Sequence, residues 1–127
     1  MQIKNITPSY QDARGDISHL LEFDGKVKTA LYITSKVGAI RANHYHKKDT
    51  HYTYLVSGQF EYWEKVIGDK KALVKKKMIN PGDLVVTPPM IAHTMKFTKD
   101  SLMVVFTTEK RDQASYEQDT VRIDLNT

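Results

Sequence analysis

Four of the five histidines, His44, His46, His51 and His93, carry the chemistry this sequence can offer. His44 and His46 are two positions apart, and on a strand such residues share a face. His51 begins the next apolar stretch, sharing a face with Thr53, Leu55 and Ser57 while Tyr52, Tyr54 and Val56 take the other. His93 follows the Pro88-Pro89 stop. A single histidine is ordinarily a surface or core residue. A spaced pair plus two more on neighbouring strands can converge on one point. Neutral imidazoles hold Zn, Ni, Mn, Cu or Fe(II) at about 2.0–2.2 Å, and an imidazole titrating near neutrality also suits acid–base catalysis.

Composition narrows the alternatives. The chain has 127 residues, matching one domain spanning 1–127. It has no cysteine, which excludes disulfides, thiolate metal sites and a cysteine nucleophile. Any metal must therefore sit on His, Asp, Glu or carbonyl oxygen. The formal charge is 19 − 15 = +4. Five lysines, Lys70, Lys71, Lys75, Lys76 and Lys77, crowd one turn and strand and read as a solvated edge that blocks sheet-to-sheet association. No aromatic-plus-basic platform accompanies them, so nucleic acid is not an expected partner. No apolar run approaches the roughly 20 residues of a membrane-spanning helix. Met1 to Asn5 shows no apolar leader, which gives a cytoplasmic expectation.

The elements that must position the histidines are short β-type runs divided by turn residues. Strands are expected at Leu31–Ser35, Ala42–His46, His51–Val56, Phe60–Lys65, Ala72–Ile79, Leu84–Thr87, Ala92–Thr98 and Ser101–Thr108, with an edge strand near Val121-Arg122-Ile123. Tight turns are expected at Ser57-Gly58-Gln59 and at Lys99-Asp100, and a strong one at Asn80-Pro81-Gly82-Asp83. Only Ile17–Phe23 and Glu109–Gln118 have room for a turn or two of helix. Strands at this spacing predict an all-β sandwich or barrel with a ligand site at its mouth.

The residues also carry a family pattern. Gly38 through His44-Tyr45-His46, His51 and Gly58 resembles the first motif of the cupins, G-x5-HxH-x4-E-x6-G, with His51 where the family has Glu. Gly82, Pro88 and His93 resemble the second motif, with Met90 and Phe97 where the family has Gly and Asn. The resemblance implies a single-domain cupin, a double-stranded β-helix or jelly-roll barrel. It implies a divalent metal (Zn, Ni, Mn or Fe) on His44, His46, His51 and His93.

Three short stretches resemble the sugar-nucleotide cupins, the tail Tyr116-Glu117-Gln118-Asp119-Thr120-Val121-Arg122 being similar to their C-terminal part. Asp12-Ala13-Arg14-Gly15-Asp16-Ile17 is similar to D-x-R-G-x-L. Arg41-Ala42-Asn43-His44-Tyr45-His46-Lys47 is similar to R-G-x-H-x-H-K of the dTDP-4-keto-6-deoxyhexose 3,4-ketoisomerases, and to R-G-x-H-[FY]-Q of the dTDP-4-dehydrorhamnose 3,5-epimerases. This implies a protein of surface-polysaccharide or deoxysugar biosynthesis that epimerises or isomerises a nucleotide-linked 4-keto sugar. His44 would act as base with His46 assisting. Arg14 and Arg41 would bind the diphosphate through their guanidinium forks, and Tyr54 and Tyr62 would contact the substrate. Tyr45, Tyr52 and Trp63 are further candidates for a pocket wall, or for core. Two other readings stay open: a non-catalytic sugar- or metal-binding cupin, and a metal-dependent cupin oxygenase. The resemblance also implies a homodimer with residues 1–35 at its interface.

Overall fold

Period-two burial dominates the chain, and a computed structural model shows what it builds; residues 1–125 are described. Ten strands and one short helix follow in order: β1 Gln2–Asn5, β2 Tyr10–Asp12, β3 Gly15–Ile17, β4 Thr29–Ser35, β5 Ile40–His46, β6 His51–Val66, β7 Lys75–Ile79, β8 Asp83–Thr87, β9 Ile91–Thr107, α1 Gln113–Asp119 and β10 Thr120–Arg122. All strand pairs are antiparallel.

Two long strands organise the fold. The first part of β6 (residues 51–54) lies between β8 and the end of β9, and its second part (60–64) lies between β7 and the start of β9. β9 likewise carries β5 along residues 93–96 and β4 along residues 101–107. One face is thus β1-β8-β6-β9-β4 and the other β7-β6-β9-β5-β10. Leu55, Phe60, Tyr62, Ile79, Val85, Met95, Phe97, Met103 and Val105, drawn from both faces, form one buried cluster. This is the all-β, double-stranded β-helix barrel that the sequence predicts. β2 and β3 pair only with each other, as a separate hairpin.

Where the sequence predicts turns at Ser57-Gly58-Gln59 and Lys99-Asp100, β6 and β9 instead run on as bulged strands, with register shifts between Leu55 and Phe60. Gly58 explains the difference. Its φ of +96° serves a bulge as well as a turn, and a Cβ there would meet Ser101 Cα at 2.6 Å. Ser101 Oγ accepts from Gln59 N at 3.0 Å and donates to the Lys99 carbonyl at 2.8 Å, so the two strands bend together. Other boundaries also move. β7 starts at Lys75 rather than Ala72, because Ala72 N closes a turn onto the Asp69 carbonyl. Ile17–Phe23 holds no helix. The helix expected within 109–118 begins at Gln113, where the Asp112 side chain accepts from Ser115 N at 3.0 Å.

Gly58→Ala is expected to lower the unfolding free energy by about 2–5 kcal/mol, combining left-handed strain with overpacking. Gly68, also at positive φ but with open space around it, should lose only about 1–2 kcal/mol on the same change. Urea denaturation of the two variants distinguishes them, and equal losses would refute the close-packed bend.

Candidate functional site

The histidines reach one place because β5 is irregular. Ala42 and Asn43 take φ of +71° and +55°, and the register against β9 shifts between Ala42 and His44. Asn43 pins this bulge: its Oδ1 accepts from Thr94 Oγ1 at 2.6 Å and its carbonyl accepts from Ile123 N at 2.9 Å. Beyond the bulge His44 sits directly opposite His93. All four imidazoles are buried. Ring centroids lie 4.5 Å apart for His44–His46, 4.8 Å for His44–His93 and 4.4 Å for His46–His51.

The hydrogen bonds divide the four. His93 Nδ1 lies 3.0 Å from the Ile91 carbonyl, an acceptor only, so Nδ1 carries the proton and Nε2 keeps its lone pair. His51 Nε2 lies 2.8 Å from Asp49 Oδ2 and donates to it. His46 Nδ1 lies 3.4 Å from Asp119 Oδ2 and 3.3 Å from Thr120 Oγ1. Among the described residues, three buried side-chain polar atoms have no partner: His44 Nδ1, His46 Nε2 and Thr53 Oγ1. Such groups are rare in folded proteins, and here all three belong to the site.

Ligand atoms of His44, His46 and His93 fall within 4.8 Å of one another, as do those of His46, Asp49 and His51. The four histidines thus divide into two overlapping groups that share His46. Asp49 is the residue the sequence reading passed over. Its Oδ1 accepts from Thr108 N, Thr108 Oγ1 and Glu109 N at 3.0–3.2 Å, so one buried carboxylate ties His51 to the chain after β9. The signal for it was its place two residues before His51.

Burial makes His44, His46 and His93 poor proton carriers. It pushes His44 down to about 2, aided by the like charges of His93, His46 and His51. Burial likewise takes His46 to about 4 and His93 to about 3. Desolvation opposes ionisation of Asp49, but the bond from His51 and that from Thr108 N hold its carboxyl below the usual range.

A cavity of about 130 Å³ opens onto the cluster. Its floor is apolar, from Leu31, Ile33, Met95, Met103 and Val105, and Arg41, Arg111 and Tyr116 stand on its wall. Tyr116, on α1, brings its ring within 6.3 Å of His44 and 6.1 Å of His46. The Arg111 guanidinium lies 4.2 Å over that ring. Arg111 belongs to no stretch that the sequence singled out, whereas Tyr116 opens the tail that is similar to the C-terminal part of the sugar-nucleotide cupins. A separate hollow of about 460 Å³, bordered by Lys28, Lys47, Lys48, Lys110, Glu109 and Asp119, flanks the same segment.

The other expected residues lie as follows. Tyr62 is fully buried, with its hydroxyl on Thr87 Oγ1 at 2.7 Å and Glu64 Oε2 at 3.1 Å, and its ring 6.4 Å from His93. It lies behind the cluster, not on the cavity wall. Tyr54 alternates with the buried His51, Thr53 and Leu55 and so faces away. Tyr45 packs with Trp63 and Leu125 on the outer face. Arg14 is exposed on the β2–β3 hairpin and bonds Asp12 at 2.7 and 3.1 Å. Arg41 borders the cavity, but its Nε donates to Ser35 Oγ at 2.7 Å and its Nη2 to the Thr34 carbonyl at 2.8 Å.

Comparisons with known proteins agree with this geometry. The family model described as polysaccharide biosynthesis C-terminal domain matches residues 10–121. No curated protein matches the chain by sequence. Among solved structures, a 3,4-ketoisomerase of Thermoanaerobacterium thermosaccharolyticum in complex with TDP-4-keto-6-deoxyglucose superposes with a TM-score of 0.71 at 20% identity, covering 95% of this chain and 86% of that one. A 3,4-ketoisomerase of Helicobacter canadensis gives 0.75 at 19% identity, covering 95% and 89%. The dTDP-4-dehydrorhamnose 3,5-epimerase of Sulfolobus tokodaii gives 0.72 at 17% identity, covering 93% and 72%. The fold is the cupin-type barrel of these nucleotide-sugar enzymes. No helix among the described residues is long and apolar enough to cross a membrane.

The depressed histidines make stability depend on acid. Unfolded imidazoles take up protons near pH 6.5, whereas folded His46, His93 and His44 do so only near 4, 3 and 2. Below about pH 6.5 the unfolded chain therefore binds more protons, and stability falls as pH falls. In metal-free protein the loss should reach about 1.4 kcal/mol per pH unit per histidine, read from urea midpoints. His44→Gln should flatten the slope; a profile with no slope between about pH 6.5 and pH 4.5 would contradict the buried, neutral cluster.

Proposed function

We propose the following function for this chain, which belongs to the polysaccharide biosynthesis C-terminal domain family. It takes a nucleotide-linked 4-keto sugar into the histidine cavity and moves a proton beside the carbonyl. The observation that carries this reading is the pair of unpartnered, buried ring nitrogens, His44 Nδ1 and His46 Nε2, in a cluster of which His44, His51 and His93 line a cavity of this barrel.

The chemistry follows from the groups present. Removing the proton from the carbon next to a carbonyl leaves an enolate. Returning it to the opposite face epimerises that carbon. Returning it to the former carbonyl carbon, while the hydroxyl proton passes between the two oxygens, relocates the carbonyl. His51 fits the proton-accepting role through Asp49, whose carboxylate orients the ring, fixes Nε2 as the protonated nitrogen and supports the imidazolium. Burial opposes that role at His44, which the resemblance puts forward as base. Tyr116 lines the cavity with its ring 6.3 Å from that of His44, and it supplies a hydroxyl for an oxygen of the sugar. The apolar floor limits water at the reacting carbon.

The donor set also fits a divalent ion. His44, His46 and His93 are neutral imidazoles whose ligand atoms lie within 4.8 Å of one another. Zn, Ni, Mn or Fe(II) suits such donors, and when bound it would polarise a carbonyl oxygen. His51, held by Asp49, stands apart from that set. A homodimer fits the exposed apolar residues Tyr10, Ile17 and Tyr32 in the segment 1–35.

The test is proton exchange. The full chain with dTDP- or UDP-linked 4-keto-6-deoxyglucose in D₂O should take deuterium into the carbon beside the carbonyl, read by NMR. His51→Asn and Asp49→Asn should slow this by about 10²–10⁴-fold while the metal content per chain stays unchanged. His44→Ala and His93→Ala should lose the metal. No exchange by the unaltered protein with either sugar nucleotide overturns the reading. Full exchange in His51→Asn removes His51 from it.

A further inference from the structure

The anion of a nucleotide-linked substrate needs a cation with free N–H groups facing the cavity. The arginines that the motifs single out do not offer one. Arg14 is bonded to Asp12 on the outlying hairpin, and Arg41 is bonded to Ser35 and the Thr34 carbonyl. Arg111 differs. It is half-buried and lines the cavity. Among the described residues no hydrogen bond or ion pair engages its guanidinium, whose carbon lies 4.2 Å from the centre of the Tyr116 ring. A partly desolvated guanidinium with no carboxylate beside it is unfavourable unless something binds there. Stacking on a ring covers one face of the group and leaves its in-plane donors free.

We propose that Arg111, held by the Tyr116 ring, reads the diphosphate of the sugar nucleotide at the mouth of the histidine cavity; this rests on the function proposed above. Two observations support this. The Tyr116 ring that carries the guanidinium lies 6.3 Å from the His44 ring and 6.1 Å from the His46 ring, which puts Arg111 in place to hold a bound ligand over the cluster. The lysine-lined hollow on the other side of the same segment adds positive potential. Its two carboxylates are already engaged, Glu109 with Lys28 at 3.4 Å and Asp119 with Lys48 N at 2.7 Å. That field suits a ligand carrying two or more negative charges.

Calorimetric titration of the full chain with dTDP, UDP, pyrophosphate and glucuronate tests this. Arg111→Gln should weaken dTDP or UDP binding about 10–100-fold, the loss of a charge-assisted bidentate contact. Arg111→Lys should fall between, and should serve in its place if the Gln variant melts early by circular dichroism. Tyr116→Phe should bind as the unaltered protein does, because the ring remains, whereas Tyr116→Ala should bind more weakly. Lys70→Gln removes an exposed charge outside both the cavity and the lysine-lined hollow and should change affinity by less than about 3-fold. Equal binding by Arg111→Gln, or equal loss in Lys70→Gln, overturns the proposal while leaving the proposed function in place. Tighter binding of glucuronate than of pyrophosphate overturns the diphosphate. Arg111-dependent binding of pyrophosphate with no binding of either nucleotide upholds the anion site and overturns the proposed function.

Discussion

Taking four imidazoles out of water in one place is the constraint on which the rest of this structure depends. A buried imidazolium is unfavourable, and three more beside it make it worse. His44, His46 and His93 therefore exist in the neutral form, rich in lone pairs and poor in charge. Lone pairs shielded from water call for a partner. His93 donates to the Ile91 carbonyl and His51 donates to Asp49, but His44 Nδ1 and His46 Nε2 are left open. A barrel interior that could have been filled with Leu and Val instead keeps unsatisfied polar atoms beside a cavity, and function is the physical reason for keeping them.

The surrounding framework is rigid where it must hold those rings. β5 bulges at Ala42-Asn43, and that bulge aligns His44 with His93. Gly58 lets β6 and β9 bend together, so that His51 on one face of the barrel meets His44, His46 and His93 from the other. Asp49 then connects the cluster to the segment beyond β9, through Thr108 and Glu109. That segment carries Arg111 and Tyr116. One buried carboxylate thus orients a histidine and anchors the wall of the cavity.

Much of this was legible in the residues. The all-β barrel follows from period-two patterning and turn spacing, and β4, β5, β8 and β10 fall within a few residues of where those signals put them. β6 and β9 read as hairpins because Gly58 and Lys99-Asp100 carry turn chemistry. A bulge uses the same dihedrals, and only the partner strand decides between them. β1, β2 and β3 left no signal, since short and largely exposed strands carry no alternation.

The sequence by itself determined that His44, His46, His51 and His93 would meet, because motif spacing fixes strand faces and strand faces converge inside a barrel. It determined the absence of thiol chemistry as well. The tertiary structure decided how the four divide, through a hydrogen bond from His51 to Asp49 that no spacing reveals. It decided which aromatic side chains face inward, placing Tyr116 beside the imidazoles and turning Tyr54 and Tyr45 away. It also decided which of three arginines keeps its guanidinium donors unengaged among the described residues. Arg14, Arg41 and Arg111 look equivalent as letters, and they differ only in what each guanidinium touches once the chain has closed around it.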